Sequence, residues 1–95
     1  MKYGLFIRGQ YRANETNMKA RFEELMEQVR MAEQLGFDDL ISGMHYAGYP
    51  LQQFQLIPFL SRAMAETTRM RLITGIILLS LHKPLDIAEQ LSSMD

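Results

Sequence analysis

Apolar residues form three short clusters along the chain, at residues 2–7, 38–46 and 71–81. Their content of aromatic and branched side chains, and the polar or glycine-containing segments that separate them, predicts three strands. The third cluster, RLITGIILLSL, is almost unbrokenly apolar, which is typical of a strand covered on both faces.

The segment after the first predicted strand has the periodicity of an amphipathic helix. After a polar loop at residues 8–17, apolar residues recur at steps of three and four. Asn17 is a suitable N-cap, Gly36 can adopt the left-handed conformation that follows a helix, and Phe37 supplies the hydrophobic residue after it. The acidic residues of this segment are most simply a solvated helix face: Glu23, Glu24, Glu27 and Glu33.

Two further helices complete a regular alternation of strands and helices. One covers about residues 56–68, with Pro58 at its start or in its first turn, and another begins at Pro84. This order predicts the α/β class, as a parallel βαβαβα unit in one domain over residues 1–95. Three strands leave two open edges, which favour association. A larger barrel of which this is the first part therefore explains the pattern better than a self-contained sheet.

Composition and charge restrict the partners. Ten basic and 11 acidic residues give a net charge of −1 without clustered positive charge, which argues against nucleic acid and anionic membrane. The absence of cysteine excludes disulfides and thiolate sites. The longest apolar run is far shorter than the roughly 20 residues of a membrane helix, and the first residues lack the features of a signal peptide. We therefore expect a soluble cytoplasmic protein.

Few residues are candidates for chemistry. His45 follows the second predicted strand between Gly43 and Gly48, and the C-terminal ends of parallel strands are where catalytic residues gather. A histidine there can transfer a proton near neutral pH, although an ordinary loop histidine fits the position as well. His82 is interpreted as a loop residue. Gly75 interrupts a strand pattern, which indicates a bulge or a close backbone approach, with a planar ligand as the functional explanation. No metal-ligand spacing is present.

Three stretches together resemble the luciferase-like flavin-dependent monooxygenases, a family that includes bacterial luciferase, alkane-sulfonate monooxygenases and deazaflavin (F420)-dependent reductases. MKYGLFI resembles the family's first strand, and AEQLGFDDLISGMHY resembles the end of its first helix and its second strand. TTRMRLITGIILLSLHKPLDIAEQLSSMD resembles the third strand with its flanking helices. The resemblance implies a TIM (β/α)8 barrel, of which this chain would hold the first three strands and remain incomplete.

The resemblance also implies site residues. His45 matches the family's histidine at the end of the second strand, which lies by the flavin and assists the chemistry, and Phe6 matches the first-strand aromatic near the ring. Gly75 and Ile76 match the third-strand bulge, where many members have a non-prolyl cis peptide against the flavin. Met44–His45–Tyr46 departs from the Glu-His-His or Asp-His of many members, which leaves the subgroup and the substrate open.

The implied function is that of a flavin-dependent oxidoreductase or monooxygenase. Reduced FMN and O2 would act on a small organic substrate, with a separate flavin reductase as supplier and a homo-oligomer as the assembly. F420-dependent hydride transfer is the alternative within the family. Because the phosphate-binding loops of such barrels follow the seventh and eighth strands, we expect the 95 residues alone to bind flavin weakly or not at all and not to turn over.

Two other interpretations stay open. The chain could be a short, non-catalytic α/β protein that associates through its exposed sheet edges. It could also be an independent small α/β binding module unrelated to the family. That module would have a trans peptide bond between Gly75 and Ile76 and no pocket near His45.

Overall fold

The fold is built on three parallel strands with a helix after each. The computed structural model describes residues 1–95. Its strands are β1 (Gly4–Ile7), β2 (Gln10–Tyr11), β3 (Asp39–Ser42), β4 (Gln52–Gln53) and β5 (Arg71–Thr74). Its helices are α1 (Met18–Leu35), α2 (Leu56–Met64) and α3 (Pro84–Met94). The parallel sheet has the order β1-β3-β5, and β2 pairs with β4 in a separate antiparallel ribbon. The predicted α/β class with a parallel sheet and three helices is confirmed.

Helices α1 and α2 cover one face of the parallel sheet. Leu40 in the central strand is fully buried, as are Met26 and Val29 of α1 and Ala63 of α2. These side chains belong to one core of 11 residues that also includes Ile7 of β1. The sheet therefore buries alternate residues of its strands against the helices, as the two-residue period of a strand requires.

The opposite face of the sheet is open and partly apolar. Phe6, Ile41 and Ile73 are in register across β1, β3 and β5. Phe6 is 53% exposed and Ile73 37% exposed. Below this row, Arg71 Nε donates to Asp39 Oδ1 at 2.7 Å. This hydrogen bond holds the pKa of Asp39 below its ordinary value, because its effect is larger than the opposing effect of partial desolvation.

The third predicted strand, over residues 71–81, is too long. Strand β5 ends at Thr74, and Leu79–Leu81 form a single 3-10 turn. The expectation that this strand is covered on both faces is also wrong, because Arg71 and Ile73 are exposed. The physical reason is that β5 is an edge strand and the helices pack on one face only. Beyond Thr74, Ile76, Ile77 and Leu78 line a cleft at the end of the sheet instead of continuing it.

Other predicted boundaries shift by a few residues. The predicted strand over residues 38–46 ends at Ser42, and the predicted helix over residues 56–68 ends at Met64. The segment interpreted as a loop after the first strand contains β2, because Gln10 and Tyr11 pair with a second short segment some 40 residues away in sequence. Such a pairing has no local signal in either segment.

The ends of α1 follow the predicted capping pattern. Asn17 Oδ1 accepts a hydrogen bond from the Ala20 amide at 3.1 Å. Gly36 has φ of 87°, and the Phe37 amide donates to the Ala32 carbonyl at 3.1 Å, so both predictions for the ends of this helix are confirmed. At 18 residues α1 is the longest helix. None of the helices has both the length and the apolar character that crossing a bilayer requires.

Glu33 is not part of a solvated helix face, contrary to the prediction. Its Oε1 accepts from the amides of Thr68 at 3.3 Å and Arg69 at 3.0 Å, and its Oε2 accepts from the Met70 amide at 3.1 Å. Partial desolvation raises the pKa of this carboxyl, but these bonds together with the Thr68 hydroxyl more than offset it, so the pKa lies below its ordinary value. Glu33 therefore ties the end of α1 to the segment that leads into β5.

Candidate functional site

The C-terminal ends of the three parallel strands surround one open cleft. Its volume is about 300 Å³. Each strand contributes residues at or just beyond its last position, because parallel strands bring these ends to one edge of the sheet. The cleft is lined by Phe6, Arg8, Gly43, Met44, His45, Tyr46, Gly75, Ile76 and Leu78.

The four residues predicted for the site all line this cleft. Phe6 lies in β1, His45 follows β3, and Gly75 and Ile76 follow β5. The Gly75–Ile76 peptide bond is cis. An unrelated module was expected to have a trans bond here and no pocket near His45. The structure instead has a cis bond and a cleft lined by His45. His82 lies outside the cleft, with its ring 6.3 Å from the ring of Tyr46 in an edge-to-face arrangement.

Two glycines allow backbone segments to approach closely beneath the cleft. The Gly75 amide donates to the Ser42 carbonyl at 2.6 Å. A Cβ atom on Gly43 would come closer to the Gly75 carbonyl oxygen than the 3.0 Å that real Cβ atoms respect. A Cβ atom on Gly75 would lie 2.9 Å from Cγ2 of Ile41. The cleft floor is therefore bare backbone, which agrees with the close approach predicted at Gly75. The same requirement at Gly43 was not predicted.

His45 is exposed in the cleft and is held by two neighbours. Its backbone amide donates to Oε1 of Gln53 at 3.0 Å. Its ring Nε2 is hydrogen-bonded to Nη2 of Arg8. Because a guanidinium can only donate, Nε2 is the acceptor in this hydrogen bond, which leaves Nδ1 to carry the ring N–H. His45 thus has one ring nitrogen engaged by Arg8 and one N–H left to donate.

The antiparallel ribbon of β2 and β4 places the neighbours of His45. Gln10 and Gln53 are paired residues in this ribbon. Gln52 anchors it, since its Nε2 donates to the carbonyls of Arg12, Ala13 and Glu15 at 2.8–3.1 Å. The sequence pattern did not predict Gln53 as a site residue, because its role depends on this long-range pairing.

Arg8 is the only charged side chain that lines the cleft, and it was also missed. It follows β1 directly, at the position relative to its strand that made His45 a candidate. The rule that catalytic residues gather at the C-terminal ends of parallel strands, applied to the first strand, would have selected Arg8. No carboxylate lines the cleft. The structure contains no group of three or more His, Cys, Asp or Glu side chains that could hold a metal ion.

A second cleft of about 290 Å³ adjoins the first. It runs between the residues that follow β5 and the start of α2, with His82 and Ile87 on its far side. The two clefts share four residues: Met44, Tyr46, Ile76 and Leu78. Most of its lining is apolar. The two clefts are therefore continuous along these four residues.

Comparison with known proteins gives a family and two related structures. The sequence profile described as luciferase-like monooxygenase matches residues 1–95. The crystal structure of monooxygenase RslO1 from Streptomyces bottropensis is similar to all of this chain, with a TM-score of 0.79 and 30% identity. The crystal structure of apo-MsnO8 is similar to 98% of this chain, with a TM-score of 0.82 and 25% identity. No curated protein sequence matches.

The chain spans less than a third of each related structure. It covers 29% of the RslO1 chain and 28% of the MsnO8 chain. The similarity therefore concerns the parallel sheet, its helices and the cleft at the strand ends.

Proposed function

The chain belongs to the luciferase-like monooxygenase family, and from that premise we propose that its cleft is the part of a flavin-dependent monooxygenase against which the flavin ring lies. The family uses flavin or F420 cofactors. One observation carries the proposal: three separate strands bring Phe6, His45, Gly75 and Ile76 to a single cleft with a backbone floor.

The cleft suits a planar, largely apolar ring. Gly43 and Gly75 line the cleft without side chains, so a flat group can lie against their main chain. Phe6 and Ile76 are 53% and 66% exposed and offer apolar surface beside this floor. Burying such surface under a ring is favourable at about 25 cal/mol per Å². These residues would hold the ring, while His45 would lie at its edge.

We further propose that β1, β3 and β5 are the first three strands of a TIM barrel. The sequential parallel order and the helices on one face are those of a barrel wall. The open face carries the apolar row of Phe6, Ile41 and Ile73, which suits the packed interior of such a barrel. Both outer strands have unpaired edges that further strands would complete.

In this proposal the protein residues orient and protect the reaction. Reduced flavin, when bound, supplies the electrons with which dioxygen is used on a small organic substrate. His45 can donate from Nδ1 or move a proton there, because its Nε2 is occupied by Arg8. Ile76 and Leu78 give the cleft exposed apolar surface, which would exclude water from the reacting groups once a bound ring covers it.

The proposal includes partners and an assembly. A separate flavin reductase would supply the reduced cofactor, and the protein would act as a homo-oligomer. FMN is the proposed cofactor, with F420 as the alternative. The 95 residues alone contribute only one wall of the ring site, so we propose that by themselves they bind FMN weakly and do not turn over.

A fluorescence titration of FMN with the chain tests this function. We expect shallow quenching with a dissociation constant near the millimolar range, equivalent to about −4 kcal/mol. Phe6→Ser should weaken the quenching, whereas Tyr3→Ser, at an aromatic residue 60% exposed outside the cleft, should leave it unchanged. Tight stoichiometric quenching would contradict the proposed dependence on further strands. Equal effects of both variants would argue against this cleft as the flavin site.

A further inference from the structure

Arg8 differs from most arginines in the chain because it has no acidic partner. The sequence contains seven arginines. Arg21, Arg30, Arg62, Arg69 and Arg71 each have a carboxylate within 4.0 Å. Arg8 and Arg12 have none, and of these two only Arg8 lines the cleft. The cleft therefore contains one positive charge that no residue of the chain neutralises.

The hydrogen bonds of Arg8 leave part of its guanidinium free. Nη2 donates to Nε2 of His45. With the Gln10 amide turned so that its oxygen faces Arg8, that oxygen accepts from Nη2 at 2.9 Å and from Nε at 3.3 Å. Both acceptors are uncharged, and Nη1 has no partner in the chain. The guanidinium thus has two neutral neighbours and keeps two N–H donors on Nη1 without a partner.

The surroundings of this charge are apolar. Phe6, Ile76 and Leu78 line the same cleft, and no Asp or Glu does. A ligand that fits has an apolar body and one oxyanion, because the free N–H donors of Nη1 can make charge-assisted hydrogen bonds to a carboxylate. A purely neutral ligand would leave the guanidinium without a countercharge.

We propose that Arg8 is a specificity-determining residue that binds an oxyanion of the substrate, and that the substrates are therefore apolar compounds bearing a carboxylate. The proposal rests on the proposed function, since it takes the cleft to be the place where substrate meets cofactor. Arg8 also contacts His45, so the bound carboxylate would lie next to the residue that handles the proton.

Amide chemical shifts of the ¹⁵N-labelled chain, titrated with benzoate and with benzamide, test the proposal. The two probes have nearly the same shape, and only benzoate is charged. We expect benzoate to bind about tenfold more tightly, as a charge-assisted hydrogen bond at an open site allows, with shifts at residues 43–46 and 75–78. Arg8→Gln should remove this preference. Arg8→Lys should keep part of it, because the charge remains while the two donors of Nη1 are lost.

Arg12→Gln is the matched control. Arg12 is the other arginine that has no carboxylate partner, and it lies outside the cleft. This variant should leave the benzoate preference unchanged. Equal binding of the two probes, or an equal loss in both glutamine variants, would overturn the proposal. Inorganic phosphate shifting the same amides more strongly than benzoate would also overturn it, because Arg8 would then suit the phosphate of a cofactor.

FMN titrated into the same sample separates this proposal from the proposed function. If FMN shifts the amides of Gly75 and Ile76 but benzoate binds no more tightly than benzamide, the role of Arg8 is contradicted and the flavin site is not. A benzoate preference that depends on Arg8, without FMN shifts at these residues, would support the oxyanion site and contradict the flavin site.

Discussion

Replacing Gly43 with alanine tests the close backbone approach beneath the cleft. The new Cβ would lie closer than 3.0 Å to the Gly75 carbonyl oxygen, at least 0.4 Å inside the ordinary contact distance of 3.4 Å, and 3.2 Å from Cζ of Phe6. The oxygen belongs to backbone whose amide is already hydrogen-bonded to Ser42, so it cannot move freely. Overpacking of this kind costs about 1–3 kcal/mol in the free energy of unfolding.

Gly4→Ala is the matched control for this substitution. Its Cβ would lie 3.3 Å from Cβ of Asp39, a side-chain contact that small shifts relieve. We expect a change in unfolding free energy within about 1 kcal/mol, because alanine also lowers the entropy of the unfolded chain. Urea denaturation followed by far-ultraviolet circular dichroism gives both values. With a typical slope of about 1–3 kcal/mol per molar urea, Gly43→Ala should lower the midpoint by roughly 1 M. Equal midpoints for the two variants would refute the close approach.

Three further predictions concern stability. Because the folded-state pKa of Glu33 lies below 4.5, its hydrogen bonds stabilise the fold above that pH and the stabilisation is lost as the pH falls through the folded-state value. The stability advantage of the wild type over Glu33→Gln should therefore shrink below pH 4.5 in urea titrations, and a constant advantage would contradict this. Leu40→Ala should cost about 2–5 kcal/mol, whereas Leu85→Ala, at a residue 71% exposed, should change stability by less than about 0.5 kcal/mol. Gln52→Ala should destabilise by about 1 kcal/mol, because three carbonyls lose their donor, while Gln28→Ala, at an exposed residue, should not.

Local sequence signals predicted the elements whose causes are local. The caps of α1 at Asn17 and Gly36 depend on residues within one helical turn, and both were predicted. The alternation of strands and helices follows from periodicity. The length of β5 could not be predicted in this way. The apolar run beyond Thr74 has the composition of a strand but lies outside the sheet. Composition reports that residues are apolar and does not report which surface they cover.

The site residues also divide into those with a local sequence signal and those placed by long-range pairing. His45 could be selected from its place at a strand end and Gly75 from its interruption of a strand pattern, and the family resemblance added Phe6 and Ile76. Gln53 could not be selected, because it reaches His45 only through the ribbon of β2 and β4. The role of Glu33 was missed for the same reason, since its partners lie 35–37 residues further along the chain.

The central claim is that a flavin ring lies against the glycine-floored cleft. Amide chemical-shift mapping of the ¹⁵N-labelled chain with FMN tests it most directly, because it detects weak binding residue by residue. The account predicts that shifts grow with FMN concentration at Gly43, His45, Gly75 and Ile76, while amides at the opposite ends of the strands, such as Asp39, stay unchanged. Shifts confined to residues outside the cleft would contradict it.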